Sequence, residues 1–138
     1  MKLRIKGNSI RLRLGRSEVR RLAADGIVEE STVFGPSMND CFTYAICASA
    51  EVSVISSSFA ERRLVIRVPA EMVHEWSTTD QVGIRAVQRT GNEDGLQILV
   101  EKDFECVDAP PDESQEDAFP NPQLESACRP AGAMEGSV

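Results

Sequence analysis

Apolar and polar residues alternate along several short stretches of this chain, with the period of two that is typical of half-buried strands. The clearest stretches are residues 2–6 and 10–14, where Leu and Ile alternate with Lys and Arg. Gly7, Asn8 and Ser9 lie between them and favour a turn, so a hairpin is predicted there. Further strands are predicted at residues 27–34, 42–48, 52–58, 64–68, 82–87 and 96–100.

Two other stretches carry helical signals. Ser17 offers an N-cap before Val19 and Leu22, which are spaced to share one helix face, and Gly26 offers a C-terminal cap. Pro69 is suited to the opening of a second helix, which is predicted to run to about residue 77. Each helix is predicted to be only two to three turns long.

The second half of the chain repeats the element order of the first at an offset of 54 residues. Without a gap, that offset places Leu12 on Ile66, Leu14 on Val68, Val19 on Val73, Leu22 on Trp76, Val28 on Val82, Phe42 on Leu96, Tyr44 on Ile98 and Ile46 on Val100. The fold predicted from this pattern is mainly β: a small, closed or nearly closed barrel over residues 1–108, internally duplicated, with two short helices.

The inward phase of each element predicts the core. The residues expected to be largely buried are Leu3, Ile5, Leu12, Leu14, Leu22, Phe42, Tyr44, Ile46, Ile66, Val68, Trp76, Val82, Ile98 and Val100.

The segment 64–84, LVIRVPAEMVHEWSTTDQVGI, resembles the strand, proline-led helix, turn and strand of AbrB-type swapped-hairpin barrels and the related double-psi barrels. It has Thr79-Asp80 where that pattern has Gly-Asp. Over its whole length the chain is similar to an uncharacterised bacterial family of short proteins, a domain of unknown function. The stretches that carry this likeness are KLRIKGNSIRLRL (2–14), TDQVGI (79–84), LVEKDFEC (99–106) and DAFPNP (117–122). The resemblance implies no activity, ligand or site residue.

Charge is distributed unevenly along the chain, whose net charge is -7. Residues 1–21 carry eight basic groups and one acidic group, whereas residues 103–138 carry one basic and nine acidic groups. Residues 109–138 also contain five prolines and few large apolar residues, which predicts a disordered acidic tail. No apolar stretch is typical of a signal peptide or a membrane span. The four cysteines favour reduced thiols and a cytoplasmic location.

The first hairpin carries the most distinct candidate binding surface. Its five basic side chains, Lys2, Arg4, Lys6, Arg11 and Arg13, are predicted to project from one face. Such a face could contact the phosphates of a nucleic acid. Against this, it lacks interleaved aromatic residues and the whole chain has a pI near 4.8, so a solvated or tail-covered face is the competing interpretation.

A second candidate group follows the last strand. Asp103, Cys106 and Asp108 form the densest set of polar residues able to bind a ligand, although acidic residues at a strand exit also simply face water. The cysteines lack the close pairs of a zinc site, and no cofactor is predicted. His74 has no accompanying nucleophile, so it is interpreted as a solvated helix residue.

The tail contains one further candidate, Phe119, beside the acidic segment 112–117. This arrangement predicts a docking segment, either for the basic hairpin of the same chain or for another protein, with an inert solubilising tail as the equal alternative.

These observations do not identify the function. They favour a non-catalytic binding or interaction module whose partner is a protein or a small ligand, with homo-oligomerisation left open. A DNA-binding regulator that uses the basic hairpin, and a small enzyme with a site near the end of the last strand, are the two alternatives.

Overall fold

The computed structural model describes residues 1–104 and 117–120. Eight strands and two helices follow one another there: β1 (Lys2–Lys6), β2 (Ser9–Leu14), α1 (Arg16–Asp25), β3 (Ile27–Val33), β4 (Cys41–Ser49), β5 (Ser56–Ala60), β6 (Arg63–Pro69), α2 (Ala70–Thr78), β7 (Gly83–Gln88) and β8 (Leu96–Lys102). The prediction of a mainly β fold with two helices is confirmed.

The strands form two four-stranded sheets that mix the two ends of the chain with its middle. Sheet A has the order β1-β2-β8-β7, and sheet B has the order β3-β4-β6-β5. The central pair of each sheet, β2 with β8 and β4 with β6, is parallel, and the outer pairs are antiparallel. Strands that are far apart in the sequence are therefore neighbours in both sheets.

The described residues do not form the closed barrel expected from the sequence. Closure would require backbone pairing between the edge strands of the two sheets, and at the edge between β5 and β7 a side chain takes that role. The Gln88 carboxamide accepts hydrogen bonds from the Ser57 amide and hydroxyl, both at 2.7 Å, and donates to the Ser57 carbonyl at 3.1 Å. This bridge satisfies the backbone of β5 without a continuous ladder, because one carboxamide both donates and accepts.

The opposite edge is joined by a charged cluster. The N-terminal ammonium of Met1 contacts the carboxylates of Glu18 on α1 and Glu30 on β3, the latter at 2.6 Å. The Tyr44 hydroxyl donates to the Met1 carbonyl at 3.3 Å. Burial disfavours the charged ammonium, but the two carboxylates outweigh it and raise the pKa of the Met1 amine.

The core lies between the sheets and the helices. It consists of Ile10, Leu12, Leu14, Val19, Leu22, Val28, Ile46, Ile55, Leu64, Ile66, Val68, Val73, Trp76, Ile84, Ile98 and Val100. Most of the predicted core is buried as expected, and Trp76 is fully enclosed with its indole N–H donating to the Val82 carbonyl at 3.0 Å.

Two core predictions are wrong, and three more side chains are only partly buried. Ile5 and Val82 are 59% and 51% exposed, whereas Leu3, Phe42 and Tyr44 are half-buried. Val28 opposes Ile46 in sheet B, but in sheet A it is Ile84 that opposes Val100. The β7–β8 pairing is thus shifted by two residues relative to β3–β4, which leaves Val82 before the strand begins.

The helix boundaries agree with the prediction except at one cap. Gly26 ends α1 in the left-handed conformation with φ 83°, and Pro69 is the N-cap of α2. Gly15, not Ser17, is the N-cap of α1, and the Glu18 carboxylate accepts the Gly15 amide hydrogen at 2.9 Å. Ser17 lies inside the first turn, where its contacts are made with Asp117.

The fifth strand lies later than predicted. Residues 52–58 alternate in the manner of a strand, but β5 spans Ser56–Ala60. A two-residue turn, Glu61-Arg62, joins it to β6 with both residues at positive φ. Because such a turn fixes the register of the hairpin, it pairs Ser56 with Arg67 and leaves Val54 63% exposed.

Candidate anion-binding site

Strand alternation places the basic residues of the first hairpin on the outer face of sheet A. In the β1–β2 register Lys2 opposes Arg13, Arg4 opposes Arg11 and Lys6 opposes Ser9, so these side chains share one face. The intervening residues Ile10, Leu12 and Leu14 are buried on the other side. The five predicted cations are thus brought together on a single surface.

The same face continues across β8 and β7. Leu99 of β8 lies between Arg11 of β2 and Arg85 of β7. Arg85 was not predicted as a site residue. Its strand is far from the hairpin in sequence, and the only available signal was its phase opposite to Ile84 within a short alternating segment.

Two adjacent rows of side chains enclose a concavity of about 650 Å³ on this face. One row contains Arg4, Arg11, Leu99 and Arg85, and the next contains Lys6, Ser9, Gln97 and Val87. The first hairpin contributes cationic side chains, while β8 and β7 contribute two apolar side chains, one carboxamide and one arginine. A volume of this size is within the range of small-molecule sites, about 300–1,000 Å³.

Carboxylates neutralise only part of this surface. Glu101 lies 3.0 Å from Arg13 and 3.5 Å from Arg11, measured to each Nε. Within residues 1–104 and 117–120, Arg4, Lys6 and Arg85 have no carboxylate partner. Since an arginine presents a planar set of donors, such groups suit phosphate or carboxylate ligands.

The outer face of sheet B has a different character. The row equivalent to that of Arg4 contains Ser58, Val65, Ala45 and Glu29. Glu29 pairs with Arg63 through two hydrogen bonds of 2.9 and 3.2 Å, and this contact lowers the pKa of the carboxyl. The excess of positive charge is therefore a property of sheet A.

A smaller cleft of about 310 Å³ lies at the other end of the face. Its lining includes Lys2, Arg13, Asp103 and Asp117. The Lys2 ammonium is 3.1 Å from the Asp103 carboxylate. Asp103 is therefore positioned at the margin of the basic face, where it partly neutralises it.

The other members of the predicted acidic and thiol group cannot be placed. Cys106 and Asp108 lie outside the described residues. No cluster of three potential metal ligands occurs in the part of the chain that the structure describes. Cys41 and Cys47 are free, half-buried thiols, and burial raises the pKa of Cys47. The cytoplasmic location stays a prediction.

Phe119 docks on the chain, but away from the basic hairpin. Its ring centroid lies 5.8 Å from that of Phe104, and its amide donates to the Asp103 carbonyl at 2.7 Å. Asp117 contacts the start of α1, where its carbonyl accepts the Arg16 amide hydrogen at 2.8 Å. The rest of the predicted docking segment, residues 112–116, lies outside the described residues.

The Asp117 carboxylate supplements the start of α1 from a hundred residues away. It accepts the Ser17 amide hydrogen at 3.0 Å and the Ser17 hydroxyl hydrogen at 2.8 Å. Burial opposes its ionisation, but these bonds and the nearby Arg16 and Arg20 outweigh it, so the pKa of Asp117 is lowered. The acceptor satisfies helix donors that Gly15, having no side chain, cannot reach.

Lys102 is a buried cation that sequence reasoning missed. It is 7% exposed, its ammonium donates to the Thr79 carbonyl at 2.7 Å, and it lies 5.5 Å from the centre of the Phe119 ring. Burial lowers its pKa, which Asp80 partly offsets. Its position in an alternating strand, inward like Val100, was the signal available.

The fold and the site define a two-sheet β protein with one basic, concave sheet face. The chain belongs to a family of unknown function, DUF7009, whose model matches residues 1–123. This confirms the resemblance to an uncharacterised family. No curated protein and no solved structure matches the chain. Neither helix in residues 1–104 is long and apolar enough to cross a membrane.

Proposed function

We propose that this protein is a non-catalytic binding module that holds an anionic partner on the outer face of sheet A. The observation that carries the proposal is the row of Arg4, Arg11 and Arg85 beside the concavity of about 650 Å³. A protein with a net charge of -7 that still concentrates cations on one face has a local potential opposite to its overall charge.

The second support is the incomplete neutralisation of this face. Clustered like charges repel one another, so such a cluster lowers stability unless an anion offsets the repulsion. Glu101 reaches Arg11 and Arg13, but Arg4 and Arg85 are exposed and lie beyond it. An external anion would complete the arrangement.

Retention on heparin-agarose tests this proposal. The wild-type protein is expected to bind in about 50 mM salt and to elute as salt increases, because phosphate-like contacts weaken steeply with salt. The double variant Arg4→Ala/Arg85→Ala is expected in the flow-through. The matched control Arg21→Ala/Arg62→Ala removes two exposed arginines elsewhere and is expected to elute with the wild type.

Two outcomes contradict the proposal: wild-type protein that passes through at low salt, or equal loss of retention in both double variants. The DNA-binding regulator and the enzyme near the end of β8 stay predictions, since neither has an observation in its favour as direct as the charge of this face.

We also infer that the chain arose by internal duplication. Supporting this, Lys2 pairs with Arg13 as Ser56 pairs with Arg67, 54 residues later in both strands. The parallel pairs correspond in the same way, because Ser9 opposite Gln97 matches Arg63 opposite Thr43. Aligning the halves of other family members tests this inference. Similarity no higher at this offset than at neighbouring ones would contradict it.

A further inference from the structure

The concavity on sheet A is divided into a cationic half and an apolar half. Arg4, Lys6 and Arg11 belong to β1 and β2 on one side. Leu99 and Val87 belong to β8 and β7 on the other. A ligand that fits both halves carries its negative charge at one end and an apolar or aromatic body at the other.

We propose that this concavity binds a phosphate group carried on a heteroaromatic ring, the chemistry of a nucleotide. This inference rests on the proposed function and names the class of its ligand. The phosphate would lie against Arg4, Arg11 and Lys6, and the ring would lie over Leu99 and Val87. The source is either a free nucleotide or the end of a nucleic-acid strand, which share this chemistry.

The arginines determine the phosphate end. Arg4 and Arg11 oppose one another in the β1–β2 pair, so their Cα atoms are about 5 Å apart and both guanidinium groups can reach one phosphoryl chain. Lys6 is one row away on the same strand as Arg4 and adds a third charge. None of these three groups depends on a buried partner for its position.

The ring end is determined by three other side chains. Leu99 and Val87 provide an apolar surface, and Val87 is 60% exposed, so a covering ring would remove it from water. Arg85 lies beside Leu99, and its planar guanidinium can stack on an aromatic face. The exposed Gln97 carboxamide can donate to and accept from the polar edge of a heterocycle.

The outer face of sheet A lacks aromatic side chains throughout β1, β2, β7 and β8. Long single strands are usually held by several stacked aromatic residues. The site is therefore suited to one nucleotide unit, and its volume also corresponds to a single small ligand.

Calorimetric titration of the full chain in EDTA compares four probes: ATP, inorganic triphosphate, a ten-residue oligothymidylate and a glutamate-rich peptide. ATP is expected to bind at least about tenfold more tightly than triphosphate, because only ATP has a ring to cover Leu99 and Val87. Arg11→Ala is expected to weaken both ligands. Leu99→Ser is expected to weaken ATP alone, to the level of triphosphate.

Val33→Ser is the matched control, since Val33 is exposed on β3 of sheet B and its replacement is expected to leave all four affinities unchanged. Circular dichroism confirms that each variant is folded, and Gln97→Ala replaces Leu99→Ser if that variant unfolds. A tighter oligothymidylate would identify the strand end as the source of the nucleotide and support the proposal.

The remaining outcomes separate this inference from the proposed function. Triphosphate that binds as tightly as ATP overturns the ring subsite, and a glutamate-rich peptide that binds tightest overturns the nucleotide. In both cases anion binding on sheet A still stands. If none of the four probes binds, while heparin retention is also absent, both proposals are wrong.

Discussion

At the scale of single residues, the least expected feature is the burial of Lys102. A buried ammonium loses hydration, and one hydrogen bond to the Thr79 carbonyl with one aromatic contact recovers only part of that loss. Its long stem packs inside the protein, whereas its charge contributes unfavourably. The lowered pKa has the same origin, because burial favours the neutral amine.

Replacing Lys102 with Met is therefore expected to leave the free energy of unfolding unchanged or to raise it by up to about 1 kcal/mol, since the stem is kept and the charge removed. Lys102→Ala, which removes the stem as well, is expected to lower it by about 2 kcal/mol. Urea unfolding at pH 7 measures both. A clear loss of stability in Lys102→Met would show that the ammonium itself stabilises the fold.

The pH dependence of stability follows from the direction of the Lys102 shift. A lysine whose pKa is lower in the folded protein destabilises it while protonated, so stability is expected to rise as pH increases from the lowered folded pKa towards the ordinary value of 10.5. Lys102→Met is expected to lose this component, and comparison of the two proteins isolates it from other groups that titrate in the same range.

At the scale of secondary-structure elements, local signals were sufficient for most of the fold. Period-two alternation located seven of the eight strands to within two residues at each end, and Gly26 and Pro69 marked helix ends as expected. The error at β5 arose because Val52 and Val54 alternate like a strand, while the two-residue turn at Glu61 carries no glycine or asparagine.

The relation between sheets could not be predicted from local patterns. Whether edge strands join into a barrel depends on pairing between distant residues, and here Gln88 ends the ladder with a side chain. The same limit applies to the site. The basic hairpin was visible in the sequence, but Arg85 joins it only because β2 pairs with β8, an arrangement that no spacing along the chain indicates.

Gln88→Ala tests the importance of this bridge between β5 and β7. The variant removes three hydrogen bonds and leaves the Ser57 amide and carbonyl half-buried without that partner, so the free energy of unfolding is expected to fall by about 1–3 kcal/mol. Gln97→Ala, an exposed glutamine in the neighbouring sheet position, is the control and is expected to change it by less than about 0.5 kcal/mol. Equal effects in chemical denaturation would contradict a structural role for the bridge.

At the scale of the whole molecule, opposite ends of the chain meet at the start of α1. The segment 117–120 lies across β8 and α1, with Phe119 against Phe104 and Asp117 against Ser17. Gly15 allows this approach, because a Cβ at that position would lie 2.8 Å from the Asp117 carbonyl oxygen. The basic face of sheet A therefore ends beside an acidic anchor point, which limits it to the region around Arg4, Arg11 and Arg85.

The contact between Asp117 and α1 is expected to depend on the ionised carboxylate. Because its pKa is lowered in the folded protein, its contribution is fully present above the ordinary value of 3.8 and is lost as pH falls through the folded pKa. The amide resonance of Ser17, which donates to this carboxylate, is expected to titrate below pH 3.8 in NMR spectra. Asp117→Asn is expected to abolish that titration.

Gly15→Ala provides an independent test, since it leaves the carboxylate intact but places a methyl group where Asp117 approaches. Faster hydrogen exchange is expected at the Arg16 and Ser17 amides in this variant, with the helix beyond them unchanged. Asp94→Asn, an exposed loop substitution, is the control and is expected to preserve both the exchange rates and the titration. If Gly15→Ala leaves the two amides as protected as in the wild type, Asp117 does not cap this helix in solution, and the C-terminal segment is held by Phe119 alone.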